Sequence, residues 1–157
     1  MMPTLEQLVD DFLAQERIAV AGVSRSSGEA ANAIYKKLRK NGYRVYPLNP
    51  NADTVEGDTC YANLQALPEP VDGVVIATHP AATDQVVRDC ALAGVSRVWM
   101  HRSLGQGSAS DAAVEFCRQQ GISVIPGGCP MMFCRPDIAH KCLRWFLSAT
   151  GKLPKEL

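Results

Sequence analysis

Residues 18–51 read IAVAGVSRSSGEAANAIYKKLRKNGYRVYPLNPN, in which two short apolar runs flank a polar loop and an amphipathic segment. The runs at 18–22 and 44–48 have the length and composition of buried strands. Residues 29–41 are predicted to form a helix, because their apolar side chains recur at helical spacing, at Ala31, Ile34, Tyr35 and Leu38. The stretch therefore predicts a strand, a helix and a second strand that lies parallel to the first.

The same succession recurs along the chain at Gly42, Gly94 and Gly121, each of which follows an amphipathic segment and precedes an apolar run. Glycine suits the left-handed residue that ends a helix. Further helices are predicted at 82–93 and 109–120, and further strands at 72–78, 97–101 and 123–126. This alternation predicts an α/β fold: a three-layer, Rossmann-like, doubly wound parallel sheet of about five strands with helices on both faces.

Two more helices are predicted beside this core, one within residues 1–16 and one over 136–149. Thr4 and Gln7 have the spacing of a capping box for the first. A short strand or helical turn is predicted at 61–67, and the length of the chain predicts a single domain over 1–157. The last helix is predicted to face the core with Ile138, Ala139, Cys142, Leu143 and Phe146.

Charge and hydropathy restrict the partners of the chain. Lys plus Arg and Asp plus Glu number 16 each, so no basic field indicates nucleic acid. The chain has no signal-like segment and no apolar run near the roughly 18 residues of a membrane span, so we expect a cytoplasmic protein without membrane contact. The cysteines lack CxxC spacing and are predicted to be buried, reduced thiols: Cys60, Cys90, Cys117, Cys129, Cys134 and Cys142.

The loop 22–27 follows the first predicted strand, at the edge of the sheet where α/β proteins bind their ligands. Gly22 permits close approach of the backbone, and Arg25 can pair with a phosphate oxygen. The next helix directs its free N–H groups at this loop, which also contains the hydroxyls of Ser24, Ser26 and Ser27. These features favour phosphate binding, with an ordinary capped turn as the alternative.

The sequence lacks the motifs of two common classes of nucleotide-binding site. The dinucleotide pattern GxGxxG requires glycine where this chain has Ser24 and Ser27. The second strand ends in Asn49, Pro50 and Asn51 instead of a carboxylate that would hold a ribose, so NAD is disfavoured. A Walker A loop is excluded because no Gly-Lys-Ser/Thr follows.

Three stretches together resemble the small CoA-binding proteins of Rossmann type, whose fold matches the CoA-binding domain of the succinyl-CoA synthetase alpha subunit. They are residues 18–51, VDGVVIATHPAATDQVVRDCALAGVSRVWMH at 71–101 and GISVIPGGCPM at 121–131. The resemblance implies that CoA or an acyl-CoA is the ligand. It further implies that the loop from Gly22 and Val23 through Ser27 holds the pyrophosphate.

The same resemblance implies a path for the rest of the ligand. Asn49, Pro50 and Asn51 would border the adenosine. The pantetheine arm would pass Thr78, His79 and Pro80 and end near His101.

A synthetase of this type also uses a phosphohistidine domain and a nucleotide-grasp domain, and 157 residues leave room for neither. We therefore predict a CoA-binding module without catalytic or metal-binding residues of its own. The alternative is a small enzyme or redox module with a CoA or nicotinamide cofactor, which would use His79, His101 or Cys129. A third interpretation is an interaction module with an empty pocket, and apolar residues on the terminal helices would suit a homodimer or another protein partner.

Overall fold

The computed structural model describes residues 2–102, 107–135 and 137–153. Its strands are β1 (Arg17–Ala21), β2 (Arg44–Leu48), β3 (Thr54–Val55), β4 (Asp58–Thr59), β5 (Gly73–Ile76), β6 (Arg97–Met100) and β7 (Ser123–Ile125). Its helices are α1 (Leu5–Leu13), α2 (Ala30–Lys40), α3 (Pro80–Leu92), α4 (Asp111–Gln119) and α5 (Ile138–Ala149), with 3-10 turns at Leu64–Ala66 and Pro130–Met132.

The main sheet is parallel and has the strand order β2-β1-β5-β6-β7. From β1 the chain first moves outward to β2 and then returns to the opposite side of β1 to begin β5. The strand order therefore reverses between β1 and β5. In open α/β sheets, the carboxyl ends of the strands at such a reversal form the ligand-binding crevice.

Helices cover both faces of this sheet. One face packs against α1, α2 and α5 through a cluster that includes Ile34, Trp99 and Leu147. The other face packs against α3 and α4 around Cys90 and Cys117. The predicted α/β, three-layer, doubly wound architecture is confirmed, and so is the left-handed glycine that ends α2, α3 and α4.

Local chemistry explains where several helices begin. The backbone N–H of Gln7 donates to Thr4 Oγ1 at 3.3 Å, and that of Thr4 donates to Gln7 Oε1 at 2.9 Å, which is the predicted capping box of α1. The side chains of Ser110 and Asp137 cap α4 and α5 by accepting hydrogen bonds from the N–H groups of Ala113 and His140. Pro136, predicted to open the last helix, lies outside the described residues.

The predicted apolar face of α5 is right at Leu143 and wrong at its other four residues. The helix packs through Leu147 and the half-buried Leu143, which are four residues apart and share one face. Cys142 is one position from Leu143, about 100° around the helix, and it is exposed together with Ile138, Ala139 and Phe146. Composition alone did not distinguish the two faces, since both are apolar. The prediction of a buried thiol thus holds for Cys60, Cys90, Cys117, Cys129 and Cys134 and fails for Cys142.

The region between β2 and β5 contains an element that the sequence did not predict. β3 and β4 form an antiparallel hairpin that turns at Glu56 and Gly57, ahead of the 3-10 turn at Leu64–Ala66. The hairpin lies against α2, where Arg39 and Tyr35 both bind the carboxylate of Asp58. No helix in the described part of the chain has the length and hydropathy needed to cross a membrane.

Gly22 is the residue at which β1 leaves the sheet. It has a φ of +102°, and a Cβ at this position would lie 2.4 Å from the carbonyl oxygen of Ala77. We expect Gly22→Ala to lower the free energy of unfolding, measured by urea denaturation, by more than about 2 kcal/mol, because the strand ends must separate.

The matched control for this prediction is Gly28→Ala, six residues further along the chain. A Cβ on Gly28 meets no atom within 4 Å. Its free energy of unfolding is expected to stay within about 0.5 kcal/mol of the parent value. Equal stability of the two variants would contradict the close approach at Gly22.

Candidate functional site

A cavity of about 680 Å³ opens at the carboxyl ends of β1, β2 and β5, where the strand order reverses. Its walls are the first residues after these strands, the segment 62–64 and one face of α3. Six of the predicted ligand-binding residues line it, namely Gly22, Asn49, Pro50, Asn51, Thr78 and His79. The structure thus brings together residues from three separate loops at the position that the topology favours for a ligand.

The rest of the loop 22–27 lies beside this cavity and outside its walls. Val23 is fully buried in the core, and its carbonyl accepts from Asn49 Nδ2. Ser24 is half-buried, while Arg25, Ser26 and Ser27 are exposed. These residues lead toward α2, which begins at Ala30.

The conformation of this loop is held by Asn32, a fully buried residue in the first turn of α2. The backbone N–H of Ser24 donates to Asn32 Oδ1 at 2.9 Å, and Asn32 Nδ2 donates to the Ser24 carbonyl at 2.7 Å. Asn32 Nδ2 also donates to Glu56 Oε1 at 2.9 Å, which ties the β3–β4 hairpin to the loop. Ser24 Oγ accepts from the N–H of Ser26 at 2.9 Å and closes a tight turn.

Sequence reasoning missed Asn32 and Glu56. The signal for Asn32 was its place among Ala31, Ile34 and Tyr35, because an amide on the apolar face of a helix must find a partner. Glu56 gave no such signal, since it lies in a turn and meets α2 only through the tertiary fold.

Asn49 joins the loops that follow β1 and β2. Its Nδ2 donates to the carbonyl of Val23 at 3.0 Å, and its Oδ1 accepts from the N–H of Asn51 at 2.8 Å. The N–H of Gly22 also donates to the carbonyl of Leu48 at 3.1 Å. The side chain predicted to border a ligand therefore also holds one wall of the cavity in place.

The N-terminus of α2 differs from the other helix starts. Thr4, His79, Ser110 and Asp137 each accept a hydrogen bond from a backbone N–H, whereas Glu29 at the start of α2 makes no such side-chain cap. The first N–H groups of a helix have no partner within the helix and carry partial positive charge. An anion beside the loop 22–27 can therefore accept hydrogen bonds from them.

His79 begins α3 and lies on the wall of the cavity. Its Nδ1 accepts from the N–H of Ala81 at 3.2 Å, so in the neutral ring the proton is on Nε2. Nε2 is then a hydrogen-bond donor for an uncharged or anionic ligand atom. Pro80, the next residue, is the first residue of α3 and is not part of the wall.

His101 follows β6 and is not among the residues that line the cavity. Burial lowers the pKa of its imidazole below the ordinary value, which keeps the ring neutral at pH 7. The structure therefore does not place His79 and His101 on facing walls of this cavity.

Cys129 is buried at the end of β7, and burial raises the pKa of its thiol to about 11. Because the thiolate is the reactive form of cysteine, this thiol is protonated and weakly nucleophilic at neutral pH.

Comparison with known proteins gives consistent results. The chain is 33% identical over 87 residues to the ADP-forming acetate–CoA ligase II of Archaeoglobus fulgidus, a match that covers 54% of the chain and 13% of the ligase. It is 22% identical over 127 residues to the uncharacterized protein YneT of Bacillus subtilis, covering 81% of the chain and 91% of YneT. A solved structure of a hypothetical protein from Pyrococcus horikoshii superposes with a TM-score of 0.75 at 26% identity, covering 82% and 88% of the two chains.

The chain thus spans a small part of the ligase and most of the other two proteins. Residues 16–135 match the family described as the CoA binding domain, and this range includes every wall of the cavity. The resemblance to small CoA-binding proteins is confirmed. The chain belongs to the family of CoA binding domains.

Proposed function

We propose that this chain binds coenzyme A or an acyl-CoA and that it catalyses no reaction by itself. The pyrophosphate lies against the loop 22–27, and the adenosine end lies in the cavity between β1, β2 and β5. The observation that carries the proposal is that a half-open cavity at Gly22 lies beside the loop 22–27, which leads to the helix α2, whose N-terminus has no side-chain cap.

The charges around the loop support the assignment of the pyrophosphate. The exposed guanidinium of Arg25 makes no ion pair within the described residues, and Arg25 lies five positions before Ala30, the first residue of α2. A phosphate group at the loop would gain this cation and the free N–H groups of the helix. Since the chain has a formal net charge of +0, binding relies on these local groups instead of a general positive field.

The surroundings of Cys129, His79 and His101 support the absence of catalysis. The Cys129 thiol is protonated at neutral pH, and Nδ1 of His79 is engaged in capping α3. His101 lies outside the walls of the cavity.

Thermal denaturation with candidate ligands tests the proposed function. CoA or acetyl-CoA at one hundred times its dissociation constant should raise the free energy of unfolding by about 2.7 kcal/mol. NAD(H), NADP(H) and ATP at equal concentration should raise it less, because they lack the pantetheine arm. Stabilisation by NAD(H) without stabilisation by CoA would refute the assignment.

Arg25→Ala is expected to weaken CoA binding about tenfold in isothermal titration calorimetry, which corresponds to the loss of one charge-assisted hydrogen bond. The melting temperature should not change, because the Arg25 side chain is exposed. Arg118→Ala, at an exposed position on α4, is the control and should leave the CoA affinity unaltered. An unchanged affinity in Arg25→Ala removes this residue from the phosphate site.

Asn32→Ala is expected to lower the free energy of unfolding by about 2 kcal/mol and CoA affinity by more than about tenfold, because the loop loses its buried amide. Asn41→Ala is the control at the other end of α2, where Asn41 Nδ2 donates to the Lys37 carbonyl at 2.7 Å. That variant should lose stability while its CoA affinity stays constant. Parallel loss of affinity in both variants indicates a general effect of helix stability.

A further inference from the structure

The helix α5 has two apolar faces, and only one of them is covered. Leu147 is 1% exposed and packs against the core together with the half-buried Leu143. On the opposite face Ile138 is 81% exposed and Trp145 is 73% exposed, and Cys142 between them is exposed as well. The outer face of α5 therefore presents large apolar side chains to water.

These side chains form a cluster. Of the five large apolar side chains that are exposed in the described part of the chain, three lie on α5, namely Ile138, Trp145 and Phe146. An open hollow of about 490 Å³ on the same helix is bordered by Lys141, Cys142, Trp145 and Phe146. Single exposed apolar residues are ordinary, whereas a contiguous cluster marks an interaction surface.

The exposed residues have the spacing of a seam between two helices. The stripe consists of Ile138, Cys142, Trp145 and Ala149, which are separated by four, three and four residues. This is the a/d spacing at which helices pack side by side. At 1.5 Å per residue the stripe is about 16 Å long, so a second helix of the same length would cover it.

The sizes of its side chains make this stripe complementary to an antiparallel copy of itself. Large and small side chains alternate along it, in the order Ile138, Cys142, Trp145 and Ala149. A two-fold axis midway between residues 142 and 145 would bring Trp145 of each copy against Cys142 of the other. The same axis would bring Ile138 against Ala149. Each large side chain would thus meet a small one, with the indole at the hollow beside Cys142.

A parallel pair of these helices lacks this fit. It would place Trp145 against Trp145 and Ala149 against Ala149, so the bulky pair would hold the small pair apart. The two helix dipoles would also point in the same direction, which the antiparallel pair avoids.

The charges beside the stripe favour the antiparallel arrangement too. Lys141 would face Ser148 of the other copy, and Phe146 would face Ala139, so the two Lys141 ammonium groups would not oppose each other. The next cation along the helix, Arg144, is half-buried toward the covered face. The stripe therefore matches its own antiparallel image in charge as well as in size.

We propose that this chain forms a symmetric dimer in which the α5 helices of two copies pack antiparallel through the stripe. A single pair of short helices buries less area than a standard protein interface, so the expected dissociation constant is micromolar. None of the described residues that line the cavity at Gly22 is on α5. The dimer thus leaves the proposed ligand site accessible.

Sedimentation velocity of the full chain over a series of concentrations tests the dimer. The parent protein should shift from monomer to dimer as its concentration rises. Trp145→Glu is expected to raise the dissociation constant at least about thirtyfold, because a carboxylate replaces the central indole.

Leu92→Glu is the matched control. Leu92 is 82% exposed and lies on α3 instead of α5, and its substitution changes the net charge by the same amount. This variant should dimerise like the parent protein. Circular dichroism verifies that both variants are folded.

Disulfide cross-linking tests the antiparallel register. Ile138→Cys and Ala149→Cys are introduced separately into a chain that also has Cys142→Ser. When the two variants are mixed and oxidised, mass spectrometry should find mainly the mixed disulfide. Ile138→Cys alone should cross-link little, because its two thiols would lie at opposite ends of the seam, too far apart to bond.

The outcomes separate this inference from the proposed function. A monomer at every concentration overturns the dimer and leaves CoA binding intact, since the cavity is not part of the interface. Equal weakening by Trp145→Glu and Leu92→Glu also overturns it, because net charge then explains the effect. Efficient cross-linking of Ile138→Cys with itself overturns the antiparallel packing.

Discussion

The close approach of β1 and β5 at Gly22 is the constraint on which the rest of the site depends. The N–H of Gly22 donates to Leu48, and the N–H of Ala77 donates to the carbonyl of Ala21, so the ends of three neighbouring strands are joined at one point. The space that a Cβ would occupy is taken by the carbonyl of Ala77. Because this contact is at the reversal of strand order, it places the loops after β1, β2 and β5 around a single cavity.

Two amide side chains, those of the buried Asn32 and the half-buried Asn49, hold this arrangement in place. Asn32 satisfies both the N–H and the carbonyl of Ser24, and Asn49 satisfies the carbonyl of Val23. Each amide replaces water as the partner of a backbone group that would otherwise be buried without one. The link from Asn32 to Glu56 extends the network to the β3–β4 hairpin, so a surface hairpin contributes to the shape of the proposed phosphate site.

The loop 22–27 and the adjacent cavity differ in the charge that they favour in a ligand. The loop 22–27 combines an exposed guanidinium with a helix N-terminus that has no side-chain cap, which favours an anion. The cavity combines amides with the carboxylate of Asp89, which favours hydrogen-bond donors.

The sequence by itself determined the class of the fold, most of its elements and the buried faces of α2 and α4. These follow from periodicity and from glycines at helix ends, which act over a few residues. It also indicated the loop 22–27 and the residues that follow β2 and β5, because parallel strands end at the same edge of a sheet. Apart from Leu143, the apolar face of α5 was predicted wrongly, since both of its faces are apolar and packing alone selects Leu147.

Only the tertiary structure decided which polar groups meet. Glu56 accepts a hydrogen bond from Asn32, which is 24 residues away in sequence. Asp89 lines the same cavity as Gly22. The strand order of the sheet places the hairpin and α3 beside the site. Local sequence patterns contain no information about this order. Short-range periodicity determined the scaffold, whereas long-range packing determined the conformation of the loop and the charge inside the cavity.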